Sequence, residues 1–380
     1  MLSRALSRTS SKPKRNAQSP VSLFVVASES IAEPSSHFPT ELLNIVAFMI
    51  LPENHADTRA SFRAIASFAR VSKTFRQIAF RNFLRSLHLL DSACWNGIYK
   101  MVSMHQTRNP DSNAFTLLRT LATDTKSVID KCTRLRFLRL QELTMFFYKE
   151  GLSTQHSTCL RLFSNLTASS STLSTLTIDL VPRIDRSLLS LISKTFPCLK
   201  ILSVSVTGRL TSAAQECECW CCFEDVLECS VHSPVPETYS DVSLLAEAFG
   251  TALTPLSQLT ELRLGIFLSD EYIIYDHIAH QNEDEYIANS PSSCEICENT
   301  FGLDVRAREV FASRTISSKL SSLRRICWST FFCRSEDGAM AGNAEQRQES
   351  SGTHFQSGRV EFELDGPEGT WQTRRWRTLP

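Results

Sequence analysis

The feature that most constrains the fold of this chain is a short leucine motif that recurs along most of its length. In each copy an alternating stretch predicts a short strand with one buried face, and a leucine three residues earlier closes the turn into that strand. Such a strand cannot bury its apolar face alone, so the copies predict units that stack on one another. Five copies and a degenerate sixth are present: Leu84-Leu87-Leu89, Leu135-Leu138-Leu140, Leu173-Leu176-Ile178, Leu199-Leu202-Val204, Leu259-Leu262-Leu264 and Leu320-Leu323-Ile326-Trp328.

Helical stretches lie between the motifs, and aspartates mark their starts by offering a carboxylate to the first backbone N–H groups. The predicted helices are Arg186–Thr195 after Asp185, Val242–Ala252 after Asp241 and Val305–Ser313 after Asp304. Alternating strands and helices predict an α/β fold: an irregular solenoid over residues 83–334, with about six to eight parallel strands and with helices on the convex side. Most gaps between motifs exceed the repeat length of about 20 to 29 residues, so they require insertions or missed strands.

A separate helical segment precedes the motifs. Pro39 suits the first turn of a helix and Glu41 suits the positive end of its dipole. The apolar residues that follow, up to Ile50, cover nearly the whole circumference of this helix, so it must be buried on more than one side. We expect one of those sides to face a partner. A second amphipathic helix is predicted through Ile65 and Ala79.

The second helical stretch has a one-sided charge. Between Thr58 and Leu90 there are seven basic residues and no acidic one. This pattern is typical either of a solvated basic face or of a face that meets an acidic partner. The basic residues are Arg59, Arg63, Arg70, Lys73, Arg76, Arg81 and Arg85.

Composition limits the compartment and the partners. The 380 residues carry 40 basic and 40 acidic side chains, which gives no global argument for binding nucleic acid or a membrane. The longest apolar run, Leu42–Leu51, is far shorter than the roughly 20 residues of a membrane-spanning helix. Thirteen cysteines without a recognisable signal peptide are typical of reduced thiols, so we expect a cytoplasmic or nuclear protein.

The remaining segments are assigned from composition. Residues 1–36 are rich in serine and basic side chains, which predicts a disordered tail; a mitochondrial presequence and a nuclear signal at Lys12–Arg15 stay open as alternatives. Insertions are predicted at 211–240 and 269–299, and a disordered loop at 335–358. Alternation at Val360, Phe362 and Leu364 predicts a hairpin over 359–380 that caps the solenoid.

The N-terminal segment also resembles a known family. The stretch Phe38-Pro39-Thr40-Glu41-Leu42-Leu43-Asn44-Ile45, followed by Val71-Ser72-Lys73-Thr74-Phe75, is similar to the F-box. Phe38 stands where that family usually has leucine, and Phe75 where it commonly has tryptophan. Together with the motifs, residues 37–334 resemble F-box proteins with leucine-rich repeats, in particular those of mushroom-forming fungi.

The resemblance implies a function. An F-box over residues 37–82 would dock on the Skp-type adaptor of a cullin-RING ubiquitin ligase, and the repeats would bind a protein substrate. The expected role is a non-catalytic substrate-recognition subunit. The alternative is a ligase-independent interaction scaffold in which the F-box-like segment only caps the solenoid. The residues carried over as adaptor-facing or F-box core positions are Pro39, Leu42, Leu43, Ile45, Val71 and Phe75.

Sequence motifs of catalysis are absent, but two cysteine pairs have the spacing of metal ligands. The chain has no P-loop, dinucleotide-binding, zincin or nucleophile-elbow motif, and its nine histidines are dispersed, so we expect no enzyme. Two C-x-x-C pairs, Cys219 with Cys222 and Cys294 with Cys297, have the spacing of a tetrahedral zinc-thiolate site. They predict either a zinc ion that joins the two insertions or plain loop cysteines without metal.

Overall fold

The computed structural model describes residues 39–51, 58–108, 114–125, 137–148, 150–206, 239, 241–269, 273, 276–277, 294–330, 332, 358–365 and 370–378. The described residues form eight α-helices and one nine-stranded sheet. The helices are α1 (Thr40–Ile50), α2 (Thr58–Ala66), α3 (Lys73–Phe83), α4 (Ser92–Arg108), α5 (Leu152–Leu166), α6 (Arg186–Thr195), α7 (Val242–Leu253) and α8 (Glu295–Lys319). The strands are β1 (Ser86–Leu89), β2 (Thr120–Asp124), β3 (Glu142–Phe146), β4 (Thr175–Asp179), β5 (Ile201–Ser205), β6 (Glu261–Phe267), β7 (Arg325–Thr330), β8 (Gly358–Asp365) and β9 (Thr370–Thr378).

The strands lie side by side in the order in which they occur along the chain. Every neighbouring pair from β1 to β7 is parallel. The strands β8 and β9 form an antiparallel hairpin, and β8 pairs antiparallel with β7. The predicted mixed α/β class with parallel strands is therefore confirmed. The predicted tail and the 335–357 part of the predicted loop lie outside the described residues.

Aligned apolar rows explain why these strands pair in this register. The second motif position forms one buried row across seven strands: Leu87, Leu121, Leu143, Leu176, Leu202, Leu262 and Ile326. The third position forms the next buried row: Leu89, Thr123, Met145, Ile178, Val204, Leu264 and Trp328. A slip of one residue would turn a whole strand's apolar set away from the core, so these rows fix the register.

The helices pack on the face of the sheet that carries these rows. Trp95 of α4 donates its indole N–H to Thr123 of β2 at 3.1 Å, and Trp328 of β7 donates to Ser313 of α8 at 2.9 Å. The predicted caps at Asp185 and Asp241 are present, each accepting a backbone N–H three residues on. We call the opposite side of the sheet, which carries the outward residues of each strand, the open face.

The structure corrects the second motif and adds a strand. The sequence placed a strand on Leu135-Leu138-Leu140, but β3 begins at Glu142, and Leu138 is 45% exposed. The residues in register are Leu140, Leu143 and Met145. The missed strand β2 carries Thr123 at the third motif position. Methionine and threonine fall outside a pattern restricted to leucine, isoleucine and valine. The pattern therefore missed β2 and placed β3 in the wrong register.

The two longest gaps between motifs contribute no further strand to the sheet among the described residues, so the missed strands allowed for there are not found, and the predicted insertions stay a prediction. Within the described residues β5 pairs directly with β6, and β6 directly with β7. Asp304 does not cap a helix as predicted, because α8 starts earlier, with Cys294 as its N-cap. Asp304 instead lies inside α8 and forms an ion pair with Arg308 at 2.8 Å.

The N-terminal helical unit, residues 39–83, consists of α1, α2, a short 3-10 turn (Phe68–Arg70) and α3. The continuous second helix predicted through residues 65–79 is therefore wrong. Ser72 interrupts it, because this residue is extended and its side chain accepts the backbone N–H of Phe75 as an N-cap. The core of the unit is formed by Leu43, Ala47, Ile65, Phe68, Ile78, Ala79 and Phe83.

Candidate interaction surfaces and metal-ligand cluster

One side of α1 remains uncovered although it is apolar. Leu43 and Ala47 face α3 and are buried, whereas Ile45 is 54% exposed and Met49 is 77% exposed. We call the exposed set the α1 stripe; it consists of Leu42, Ile45, Val46, Phe48 and Met49. Single exposed apolar residues are ordinary, but five on one eleven-residue helix form a contiguous patch of the kind that marks an interaction site.

The six residues carried over from the F-box resemblance divide into two groups. Leu43 is buried in the unit, and Phe75 is half-buried with its ring 4.7 Å from that of Phe68. The other four, Pro39, Leu42, Ile45 and Val71, are exposed. The sequence did not separate these roles, because burial depends on how α1 rotates against α3. The exposed four are the most accessible of the six.

All seven basic residues between Thr58 and Leu90 are exposed. Arg59 forms an exposed ion pair with Asp91 at 3.3 Å, and Arg76 donates to the backbone carbonyl of Ala69 at 3.3 Å. Exposed ion pairs contribute little to stability. The stretch from α2 to the start of β1 thus presents seven exposed basic side chains in the same small unit as the α1 stripe, which favours a partner that offers both an apolar surface and acidic residues.

The N-terminal helical unit also covers the first edge of the sheet. Thr58, the first residue of α2, donates its hydroxyl to the backbone carbonyl of His88 at 2.5 Å and accepts the His88 N–H at 2.9 Å. Both groups belong to the outer edge of β1, which among the described strands is the edge that faces away from β2. An open strand edge invites pairing with other chains, so this contact seals the start of the sheet.

The open face of the first strands carries an aromatic patch. The rings of Phe146 and Tyr148 stack with centroids 5.9 Å apart, and His88 meets Phe146 edge-on at 6.4 Å. His88 and Phe146 belong to β1 and β3, and they meet diagonally across β2, where Ala122 is in register with His88 and Asp124 with Phe146. Tyr148 is exposed. Such aromatic side chains are typical anchors of protein interfaces.

The open face of the last strands is polar. Glu261 is almost fully buried between two arginines, Arg263 on its own strand and Arg325 on β7, the latter at 2.7 Å. Arg325 also approaches Glu361 of β8 at 3.7 Å. The two ends of the open face therefore differ in chemistry, aromatic near β1 and β3 and charged near β6 to β8.

The structure brings one of the predicted cysteine pairs against a histidine. The ligand atoms of His277, Cys294 and Cys297 all lie within 4.8 Å of one another, and Cys297 Sγ is 3.4 Å from His277 Nδ1. His277 and Cys297 are buried, and Cys294 is half-buried. The other predicted ligands, Cys219 and Cys222, lie outside the described residues, so the four-cysteine zinc site stays a prediction.

Sequence reasoning missed His277. It precedes Cys294 by seventeen residues, which is not a spacing that suggests a shared metal ion. Only the tertiary structure places it against the two cysteines at the start of α8. Burial, together with Cys294 and Asp276, raises the pKa of Cys297 to about 12, so without a bound cation its thiol is protonated at neutral pH.

A buried carboxyl group lies between α8 and β7. Glu309 is fully buried and forms a 2.8 Å contact with Arg306, which in turn lies over the ring of Phe362. Burial raises the pKa of Glu309 to about 7, although Arg306 and a hydrogen bond with Thr330 lower it. Its full burial among the described residues places this carboxyl group inside the packing of α8 against β7.

Glu309 predicts a pH dependence of stability. Its folded-state pKa lies above the ordinary value, so its contribution to stability is fully present below about pH 4.5 and is lost as the pH rises through about 7. We expect Glu309→Gln to be more stable than the wild type at pH 8, by on the order of 3 kcal/mol at most, and to lose most of this advantage at pH 5. Urea unfolding at both pH values measures the difference in the free energy of unfolding between the variant and the wild type. The control is Glu247→Gln, which removes an exposed ion pair. An equal effect at both pH values would contradict the expectation.

Comparison with known proteins adds no family to these observations. No protein-family model matches the chain, and no curated protein shows a significant match. Among the described residues, no helix combines the length and the apolarity that crossing a membrane requires.

Proposed function

We propose that this chain is the non-catalytic substrate-recognition subunit of a Skp-cullin-F-box ubiquitin ligase. Residues 37–82 would be the F-box that docks on the Skp-type adaptor, and the adaptor would connect the chain to a cullin. The stacked strands and helices would form an irregular leucine-rich-repeat solenoid that binds a protein substrate.

The observation that carries this proposal is the α1 stripe. The apolar residues of α1 exceed what the helical unit buries, because only Leu43 and Ala47 of this helix are buried and Ile50 is partly buried, while Ile45 and Met49 remain exposed. A helix of this kind needs a second apolar surface. In F-box proteins that surface is supplied by the adaptor, and the F-box-like motif of this chain lies on the same helix.

Charge supports an acidic adaptor as the occupant. The seven basic residues between Thr58 and Leu90 are exposed, and no acidic residue occurs in this stretch. A surface that carries only positive charge raises the association rate with negatively charged partners and disfavours binding of basic partners. We therefore expect adaptor binding to weaken as the salt concentration rises.

The aromatic patch on the open face is the best candidate for the substrate contact. Phe146 and Tyr148 lie on the face that the helices leave uncovered, and they are ordered by stacking on each other. Rigid aromatic side chains lose little entropy on binding. The charged end at Glu261 and Arg325 would then contribute selectivity rather than most of the affinity.

A second candidate function is a scaffold that acts outside any ligase. The contact of Thr58 with His88 favours it, because the helical unit seals the edge of β1 whether or not an adaptor binds. Capping alone, however, does not explain the α1 stripe, since α2 rather than α1 makes this contact. The ligase subunit is therefore the stronger proposal.

The deciding experiment is a binding measurement with the full chain. We expect purified chain to bind a purified fungal Skp-type adaptor at micromolar or lower concentration in calorimetry, and the adaptor and a cullin to co-purify with the tagged chain. A folded chain that binds no adaptor at about 100 μM, and that brings down no cullin, would favour the scaffold instead.

A further inference from the structure

We propose that His277, Cys294 and Cys297 bind a zinc ion, which fastens the segment after β6 to the first turn of α8. The site differs from the four-cysteine arrangement that the sequence predicts, because a histidine from the same insertion takes part. It is independent of the proposed ligase function.

The geometry of the three side chains fits zinc. Bonds of about 2.3 Å to sulfur and about 2.0 Å to nitrogen place tetrahedral ligand atoms roughly 3.5 to 3.8 Å apart. Cys297 Sγ and His277 Nδ1 are 3.4 Å apart, and no pair in the cluster exceeds 4.8 Å. Side-chain adjustments of about 1 Å would therefore complete the site without moving the backbone.

The helix places the two sulfurs together. Cys294 is the N-cap of α8, and Cys297 is three residues further on. Residues three apart on a helix lie on the same face. Zinc binds thiolates, so metal binding must displace the protons of both cysteines, and the affinity is expected to rise with pH.

The ligand types select zinc among the common divalent cations. Two sulfurs and one imidazole nitrogen suit zinc, whereas magnesium and calcium require oxygen ligands. The surroundings are acidic, since the charge of Asp276 acts on Cys297 and the first turn of α8 carries Glu295 and Glu298. Half-buried Cys294 gives the ion a route from solvent. Three protein ligands leave the fourth tetrahedral position for another ligand.

The test is metal binding by the full reduced chain, with Zn²⁺ and Co²⁺ as probes. We expect about one zinc per chain in elemental analysis, thiolate-to-cobalt charge-transfer absorption with Co²⁺, and a rise in melting temperature on adding Zn²⁺ that a chelator reverses. His277→Ala and Cys297→Ser should each weaken zinc binding more than about 100-fold. Mutating a residue that merely hydrogen-bonds a metal ligand already lowers metal affinity about 10- to 100-fold, and removing the ligand itself should lower it further. His156→Ala and Cys198→Ser, which change an exposed histidine and a half-buried cysteine outside the cluster, should bind zinc normally.

Further variants keep the proposal falsifiable. Cys294→Ser changes a half-buried position, so we expect this variant to fold even if Cys297→Ser does not. Its thiolate-to-cobalt charge-transfer absorption should be weaker than that of the wild type, because one of the two thiolates is missing. The double variant Cys219→Ser/Cys222→Ser should keep its zinc. The proposal is overturned if the reduced wild type holds less than about 0.1 zinc per chain, or if His277→Ala retains zinc while the double variant loses it.

Discussion

Replacing Ile45 and Met49 by aspartate is expected to weaken adaptor binding at least about 100-fold while leaving the fold intact. Both side chains belong to the α1 stripe and are exposed in the free chain. Surface substitutions of this kind change the free energy of unfolding by only about 0.5 kcal/mol. In the complex, however, each carboxylate would be buried against an apolar groove, and the loss of one interface anchor costs about 2 kcal/mol or more.

The matched control is Leu160→Asp/Leu244→Asp, which introduces the same charges at two exposed leucines on α5 and α7. This control should bind the adaptor like the wild type. Calorimetry measures both affinities, and thermal unfolding confirms that both variants fold. If the stripe variant binds as tightly as the control, the adaptor does not dock on α1, and the proposed role of the stripe fails.

Replacing Leu143 by alanine is expected to destabilise the chain by about 2–5 kcal/mol. Leu143 lies in the middle of the buried row between Leu121 and Leu176 and is almost fully buried. Truncating it removes apolar burial and leaves a cavity between strands that pair on both sides. Urea unfolding monitored by circular dichroism measures the loss.

Leu138→Ala is the control that tests the register of β3. The leucine pattern of the sequence assigns Leu138 to the core, whereas the structure leaves it 45% exposed. We expect its replacement to cost less than about 1 kcal/mol. A larger effect for Leu138→Ala than for Leu143→Ala would show that the strand follows the sequence pattern instead of the register described.

The helical ends were predictable where a local signal exists. The aspartate caps at 185 and 241 are local contacts within one turn, so sequence reveals them. Asp304 carries the same signal but lies inside α8, because the residues before it also pack as helix. The cap at Ser72 was missed because apolar periodicity continues on both sides of it. Local rules thus fail where a longer-range contact decides between two acceptable conformations.

The sequence by itself determined the α/β class, the parallel order of strands and the excess of apolar surface on α1. These follow from periodicity, which a chain carries in its own residue spacing. Only the tertiary structure decided which residues occupy each buried row, as in β2 and β3, and which of the six F-box-like positions are exposed. It alone placed His277 against Cys297. The physical reason is that burial and ligand distance depend on how elements pack across the chain, and residue spacing contains no such distance.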